Sequence, residues 1–192
     1  MNDLITTDIL ETPRMWLRCP YPGDGEALYR GVSESLEQLR QWPDSLPWAQ
    51  NPQSARASED YCQTAYAAWV MGLAWPLLMV DKATEQLVGS VAFHQKNHGT
   101  PVWELGYWCR TSYQGQGRMS EAVRSLTRAA HTLVPDAQLV CRVDQRNLAS
   151  IQVMAKTGFV WVKNESLSNE LGQTHVVRQY RWAREAQTGQ SA

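Results

Sequence analysis

The stretch Tyr113–Ala122, YQGQGRMSEA, sets Gly115 and Gly117 one residue apart, directly ahead of a helical pattern. The first turn of a helix leaves backbone N–H groups without intrahelical partners, and together with the helix dipole they attract anions. Glycine lets the backbone approach a bulky anion and adopt positive φ. A strand, then Gln114-Gly115-Gln116-Gly117-Arg118, then a helix is therefore a competent pyrophosphate cradle. The same glycines also suit a loop that needs only turn geometry, and the stretch alone leaves both readings open. It is not a P-loop, which requires Lys and then Ser or Thr where this chain has Arg118 and Met119. Ser120 stands where the dinucleotide fingerprint has its third glycine, although the next strand does end in an acid, Asp144.

Other residues that carry chemistry are sparse. Asn147 and Ser150 fall where a later helix begins, and read as its cap and first turn. His175 qualifies as a proton acceptor by its ordinary pKa. His94 and His98 have i,i+4 spacing but fall at a strand end without the intervening Glu of a metal helix, so no metal is expected. Cys19, Cys62, Cys109 and Cys141 form no C-x-x-C pair. They suggest neither zinc nor a disulfide framework, and fit a reducing cytoplasm. Neither Cys109 nor Cys141 has a sequence neighbour that would lower its pKa, so both read as packing residues.

The 192 residues carry a formal charge of −1 and no basic block, which argues against wrapping nucleic acid. The uncharged run Ala65–Val80 falls short of the ~18 residues a membrane helix needs and is broken by Pro76. One domain over residues 1–192 is expected, with an ordered core of about 12–184. Nine Trp and seven Tyr fit a heavy aromatic core or aromatic-lined pockets.

These residues must be positioned by a recognisable series of elements. Arg14–Cys19 reads as a first strand, about Asp24–Trp42 as one or two helices, and Pro43 and Pro47 force a loop. A helix with a possible Ser cap, at SARASED, runs to about Gly72. WPLLMVD and LVGSVAFHQ form a hairpin, and Val102–Cys109 continues the series. After the glycine turn, apolar residues from Met119 to Leu133 recur at helical spacing. Gln138–Val143 is a strand, and Asn147 to Gly158 a short helix with its stop. Two strands joined at Gly172 close the chain. The expectation is an α/β fold with a mixed, mostly antiparallel sheet around a central parallel βαβ unit.

Four segments in order carry a family resemblance. ELGYWC (Glu104–Cys109), QGQGRM (Gln114–Met119) and NLASIQVMAKTGF (Asn147–Phe159) resemble successive motifs of the GNAT acetyltransferase superfamily. SESLEQLRQWPDSLPWA (Ser33–Ala49) is similar to the early helix and W-x-P-W loop of its RimJ/RimL branch, which acetylates N-terminal residues of ribosomal proteins. The resemblance covers about Met15 to Trp182. Met119 departs from the general signature, which has Gly or Ala there, and would narrow the space beside the phosphates.

The resemblance implies a splayed pair of strands and acetyl transfer from acetyl-CoA to an amine. Main-chain N–H groups of Gly115, Gln116, Gly117, Arg118 and Met119 would meet the pyrophosphate, with charge from Arg110 and Arg118 and the turn opened by Gln114. Main-chain groups of Trp108, Cys109 and Arg110 would pair with pantetheine. Asn147 would contact the cofactor arm, and Lys156 a CoA phosphate or its own helix end. Ser150 would give a proton to the departing thiolate. Glu104 would act as base, with Glu165, Glu170, His175 or a water as alternatives. Trp42, Trp48 and Tyr107 would wall an acceptor pocket. The Rim branch also implies a homodimer. The acceptor would be a protein N-terminal α-amine. A small amine such as a polyamine or antibiotic is the alternative, and a non-catalytic acyl-CoA-binding module is a third reading.

Overall fold

Strand alternation and helical spacing resolve into twelve main elements in the computed structural model, which describes residues 9–95, 100–168 and 174–183. The strands are β1 (Ile9–Glu11), β2 (Met15–Arg18), β3 (Ala74–Asp81), β4 (Leu87–Gln95), β5 (Val102–Cys109), β6 (Gln138–Asp144), β7 (Phe159–Ser168) and β8 (Thr174–Trp182). The helices are α1 (Gly25–Leu39), α2 (Ala55–Val70), α3 (Arg118–Leu133) and α4 (Leu148–Lys156). All strands join one sheet in the order β1-β2-β3-β4-β5-β6-β8-β7. Only β5 and β6 pair in parallel, across α3; the other neighbours are antiparallel.

Both faces of the sheet are covered, which explains why β3 and β4 read as continuous apolar runs rather than alternating ones. On one face Leu77, Met79, Val91, Phe93 and Leu105 meet Ala122, Val123, Leu126 and Ala130 of α3 and Met154 of α4. On the other, Leu78, Leu87 and Trp108 meet Leu28, Val32 and Leu39 of α1, with Cys62 of α2. Pro76 is tolerated because pairing with β2 ends at Leu78, so β3 is already an edge where the missing N–H falls.

The caps agree with the sequence. Ser54 accepts the Ala57 N–H at 3.0 Å and Asn147 accepts the Ser150 N–H at 3.0 Å. The residues after Asp24 make one helix, followed by turn bonds from Gln41 to Gln38 and Trp42 to Leu39 ahead of Pro43. Strand β1 was not expected. It is a three-residue edge with no periodic signal of its own, held by pairing with β2. The Gly172 turn lies outside the described residues.

The tightest backbone contact in the sheet is at Gly89, whose φ is +157°; a Cβ there would stand 2.2 Å from the Trp108 carbonyl oxygen. Gly89→Ala must therefore displace β5, and should cost on the order of 1–3 kcal/mol by overpacking. A denaturation midpoint equal to that of wild type would contradict this packing.

Candidate active site

Parallel pairing of β5 with β6 runs from Val102–Gln138 to Leu105–Cys141 and stops. Beyond that point β5 continues along β4 as far as Cys109, while β6 continues along β8 to Asp144. The two strands thus leave a gap, the splayed pair that the family resemblance implies. Tyr107 stands in it and donates its hydroxyl to the Ser150 carbonyl at 3.3 Å. Burial pushes the Tyr107 phenol well above its usual range, so it is a neutral donor.

Strand alternation decides which of the expected main-chain groups can face the gap. The Arg110 N–H donates to Val88 of β4 at 2.7 Å, and the Trp108 carbonyl is packed against Gly89 of the same strand. With period two, the gap-facing main chain is that of Tyr107 and Cys109, not Trp108 or Arg110. The Cys109 carbonyl already accepts the Gln114 side-chain amide at 3.1 Å. Burial pushes the Cys109 thiol up to about 11, and the fully enclosed Cys141 thiol still higher, so neither is a ready nucleophile.

Gly115 and Gly117 both adopt left-handed backbone, with φ of 72° and 76°. Among the described residues no acceptor bonds the N–H groups from Gly115 to Ser120; the first bond of the helix is Glu121 N–H to Gly117 at 3.1 Å. Nothing lies within 4 Å of a Cβ built on Gly115, so the mouth of α3 is open. The side chains of the turn face away and brace it. Gln114 exchanges amide bonds with Gln38 of α1, at 2.8 and 3.0 Å. The Arg118 guanidinium binds Asp81 at 2.6 Å, bonds Gln116 and lies over Tyr113. Arg14 holds the Gln116 carbonyl at 2.9 Å and Glu121 at 2.7 Å. Arg110 is paired with Glu34 at 2.6 Å. The two arginines expected to supply charge to a phosphate are therefore both engaged by carboxylates. Met119 is 7% exposed, packs into the core beneath the turn and also lines the cleft at its mouth.

The mouth opens into a cleft of about 240 Å³ lined by Cys109, Gly115, Gly117, Ser120, Val153 and Lys156, among others. A second cavity of about 650 Å³ lies beyond it, walled by Trp42, Asp44, Trp48, Tyr61, Leu167 and Val177. Trp42, Leu46, Tyr107, Trp108, Asn147 and Ser150 line both, so Ser150 sits where the two cavities meet. The expected Trp42, Trp48 and Tyr107 walls are all present.

Glu104 lies in the floor of the larger cavity, but it is not a free carboxylate. Arg142, on the neighbouring strand, grips both its oxygens at 2.6 and 2.9 Å. Glu165 is paired with Lys163 at 2.9 Å and is not among the residues lining either cavity. His175 lies behind the larger cavity, 3.6 Å from Asp44. Glu170 and His98 lie outside the described residues. Sequence reasoning missed Arg14, Gln38, Asp44, Asp81 and Arg142. Gln38 and Asp44 fall inside the Ser33–Ala49 stretch, but nothing local in it marks their partners; each of the five reaches its partner across the sheet or from another layer.

The sequence matches the acetyltransferase (GNAT) domain family over residues 14–160. The chain belongs to the GNAT family. That match runs from just before β2 to the start of β7, so it contains the glycine turn, the strand gap and Ser150. A curated GNAT-type relative, the ribosomal-protein-serine acetyltransferase of Escherichia coli (strain K12), is 31% identical over 138 residues, covering 69% of this chain and 72% of that one. The fold is that of solved acetyltransferases. RimL, a ribosomal-protein α-N-acetyltransferase in complex with coenzyme A, superposes with a TM-score of 0.80 at 23% identity, over 90% of this chain and 96% of that one. The microcin C7 self-immunity acetyltransferase MccE, in complex with acetyl-CoA and AMP, gives 0.78 at 18% identity, over 88% and 92%. No helix among the described residues of this GNAT chain is long and apolar enough to cross a membrane.

The Arg118–Asp81 pair that anchors the turn carries a pH signature. The Arg118 hydrogen bond holds the buried Asp81 carboxyl below its ordinary value. A carboxyl lowered in the folded state stabilises above its unfolded pKa of about 4 and loses that contribution as pH falls through the folded value. Asp81→Asn should lower stability at neutral pH by on the order of 2 kcal/mol and flatten its decline in acid. An unchanged acid limb in urea titrations from about pH 6 to 3 would contradict this role.

Proposed function

We propose that this protein transfers an acetyl group from acetyl-CoA to the N-terminal α-amine of a protein, of the ribosomal type, in a direct ternary complex. The observation that carries the reading is Ser150 at the shared wall of the two cavities. One cavity is lined by unpartnered helix N–H groups and fits a diphosphate-bearing arm. The other is wide, partly aromatic and large enough for the first residues of a chain. The curated relative's ribosomal-protein-serine activity favours an α-amine as acceptor. Bound acetyl-CoA would supply the activated acyl carbon.

The geometry supports a role for each residue. The N–H groups from Gly115 to Ser120 take the diphosphate charge. Gap-facing main chain of Tyr107 and Cys109 would pair with the pantetheine arm, and a main-chain N–H there would stabilise the oxyanion. The Ser150 hydroxyl gives a proton toward the departing sulfur; a thiolate leaves readily, so a weak acid suffices. Asn147 fixes Ser150 by capping its helix, and Lys156 at the far end of α4 faces the cofactor cleft. Glu104, whose oxygens already accept from Arg142, keeps lone pairs enough to order a water in the floor. No metal enters this scheme. The reading carries with it one catalytic domain over residues 1–192 and a cytoplasmic location, where acetyl-CoA and ribosomal proteins meet. It also carries a homodimer, supported by the exposed Val160-Trp161-Val162 run on edge strand β7.

A mass-spectrometric screen with acetyl-CoA tests the reading, using peptides with free N-termini, the same peptides blocked, polyamines and aminoglycosides. Acetylation of free N-termini alone is expected. Transfer to polyamines or aminoglycosides but to no peptide would overturn the peptide reading. Ser150→Ala should lower kcat about 10- to 100-fold without changing the acetyl-CoA thermal shift; unchanged kcat would remove its assigned role.

A further inference from the structure

The larger cavity holds a carboxylate that nothing in the scheme above uses. Asp44, in the loop between Trp42 and Trp48, lines the cavity while its side chain is only 9% exposed. Among the described residues no donor hydrogen-bonds its carboxylate, and Oδ2 is fully buried. Across from it stands His175 of β8, with Nδ1 at 3.6 Å; among the described residues His175 Nε2 is also buried without a hydrogen-bond partner. A buried carboxylate oxygen and a buried ring nitrogen left this way are costly unless a proton or a cation completes them. The other charges in the cavity cancel, because Glu104 and Arg142 pair bidentately. Asp44 is thus the one acidic group lining the cavity, among the described residues, that no arginine or lysine binds directly, although the Arg146 guanidinium is near enough to feel its charge.

We propose that Asp44 and His175 form the proton-accepting site for the acceptor amine, a step that rests on the acetyl-transfer reading above. Asp44 receives the substrate's ammonium group and His175 takes one proton from it. The neutral amine's lone pair then forms the C–N bond to the acyl carbon, and the C–S bond breaks with its electrons going to sulfur. The nitrogen gives up one further proton as the amide forms, which balances the one that Ser150 passes to sulfur. His175 releases its proton to solvent to close the cycle.

The surroundings fit this assignment. Asp144, 2% exposed, brings a carboxylate within 4.8 Å of the Asp44 and His175 ligand-capable atoms, but Arg146 occupies it with bonds at 2.7 and 2.9 Å. Arg146 in turn lies over the Trp42 ring. Opposite His175 on β7 is the apolar Leu167. The charged groups around the imidazole are therefore Asp44, Asp144 and Arg146, leaving Asp44 as the carboxylate available to an incoming cation. An Arg-saturated Asp144 also makes this a poorer place for a divalent metal than for a proton.

Asp44→Asn and His175→Gln test the site with an N-terminal peptide found in the screen. Both variants should keep the acetyl-CoA thermal shift, which shows that they fold and bind donor. Near pH 7 both should lose about 100-fold in kcat/KM. Their remaining activity should climb with pH toward the pKa of the free α-amine, near 8, where solution rather than enzyme removes the proton. A merely structural loop anchor would lower activity without displacing the pH profile, and that result would overturn the proposal. So would variants within twofold of wild type at every pH, or variants that lose the thermal shift. Wild-type protein that acetylates no α-amine at all would overturn the acceptor reading, and this proposal with it.

Discussion

The arrangement depends on where one parallel strand pair stops. Four matched residues join β5 to β6, and then each strand follows its other neighbour. Past that point a row of main-chain groups on β5 has no strand to pair with. Buried backbone polar groups require partners, so a sheet interior that opens like this either admits water or receives another chain-like molecule. Tyr107 partly fills the gap and ties it to α4 through Ser150. The gap lies close to the mouth of α3, because only Arg110 and one short 3-10 turn, Thr111–Tyr113, separate the end of β5 from the glycine turn.

That mouth stays open because other interactions hold the turn from outside. Helix N–H groups attract anions only if nothing nearer satisfies them. Here the long side chains of the turn are held by neighbours: Gln114 by Gln38, Arg118 by Asp81, and Gln116 by Ser112 and Arg118, while Arg14 holds the Gln116 main-chain carbonyl. The left-handed glycines let the backbone turn its amides inward without a Cβ in the way. The ion pairs around the turn therefore serve geometry more than charge. Arg110 and Arg118, expected to supply charge to a phosphate, are each engaged by a carboxylate, Glu34 and Asp81.

Much of this was legible in the sequence. The β-α-β order, the caps at Ser54 and Asn147, the bounds of β5 and the family motifs all arise from local signals, and each appears in the structure. The parts that stayed hidden share a physical cause. Which backbone groups of Trp108, Cys109 and Arg110 face the gap depends on pairing with β4, a register no single segment encodes. The engagement of Glu104 depends on Arg142 arriving from a strand nearly forty residues later, and that of Arg118 on a hairpin nearly forty residues earlier. Asp44 and His175 meet only because the early loop folds over the last strand. Local signals place the glycine turn between strand and helix, where the structure has it; only tertiary pairing decides which charged groups near it remain free.

The central claim is that the amides from Gly115 to Ser120 are held open for a diphosphate. Amide hydrogen exchange with and without acetyl-CoA measures this directly. Protection of that segment on adding acetyl-CoA, and of the Tyr107–Cys109 segment with it, is the predicted result. Acetyl-CoA binding that leaves the exchange of Gly115–Ser120 unchanged would contradict the account.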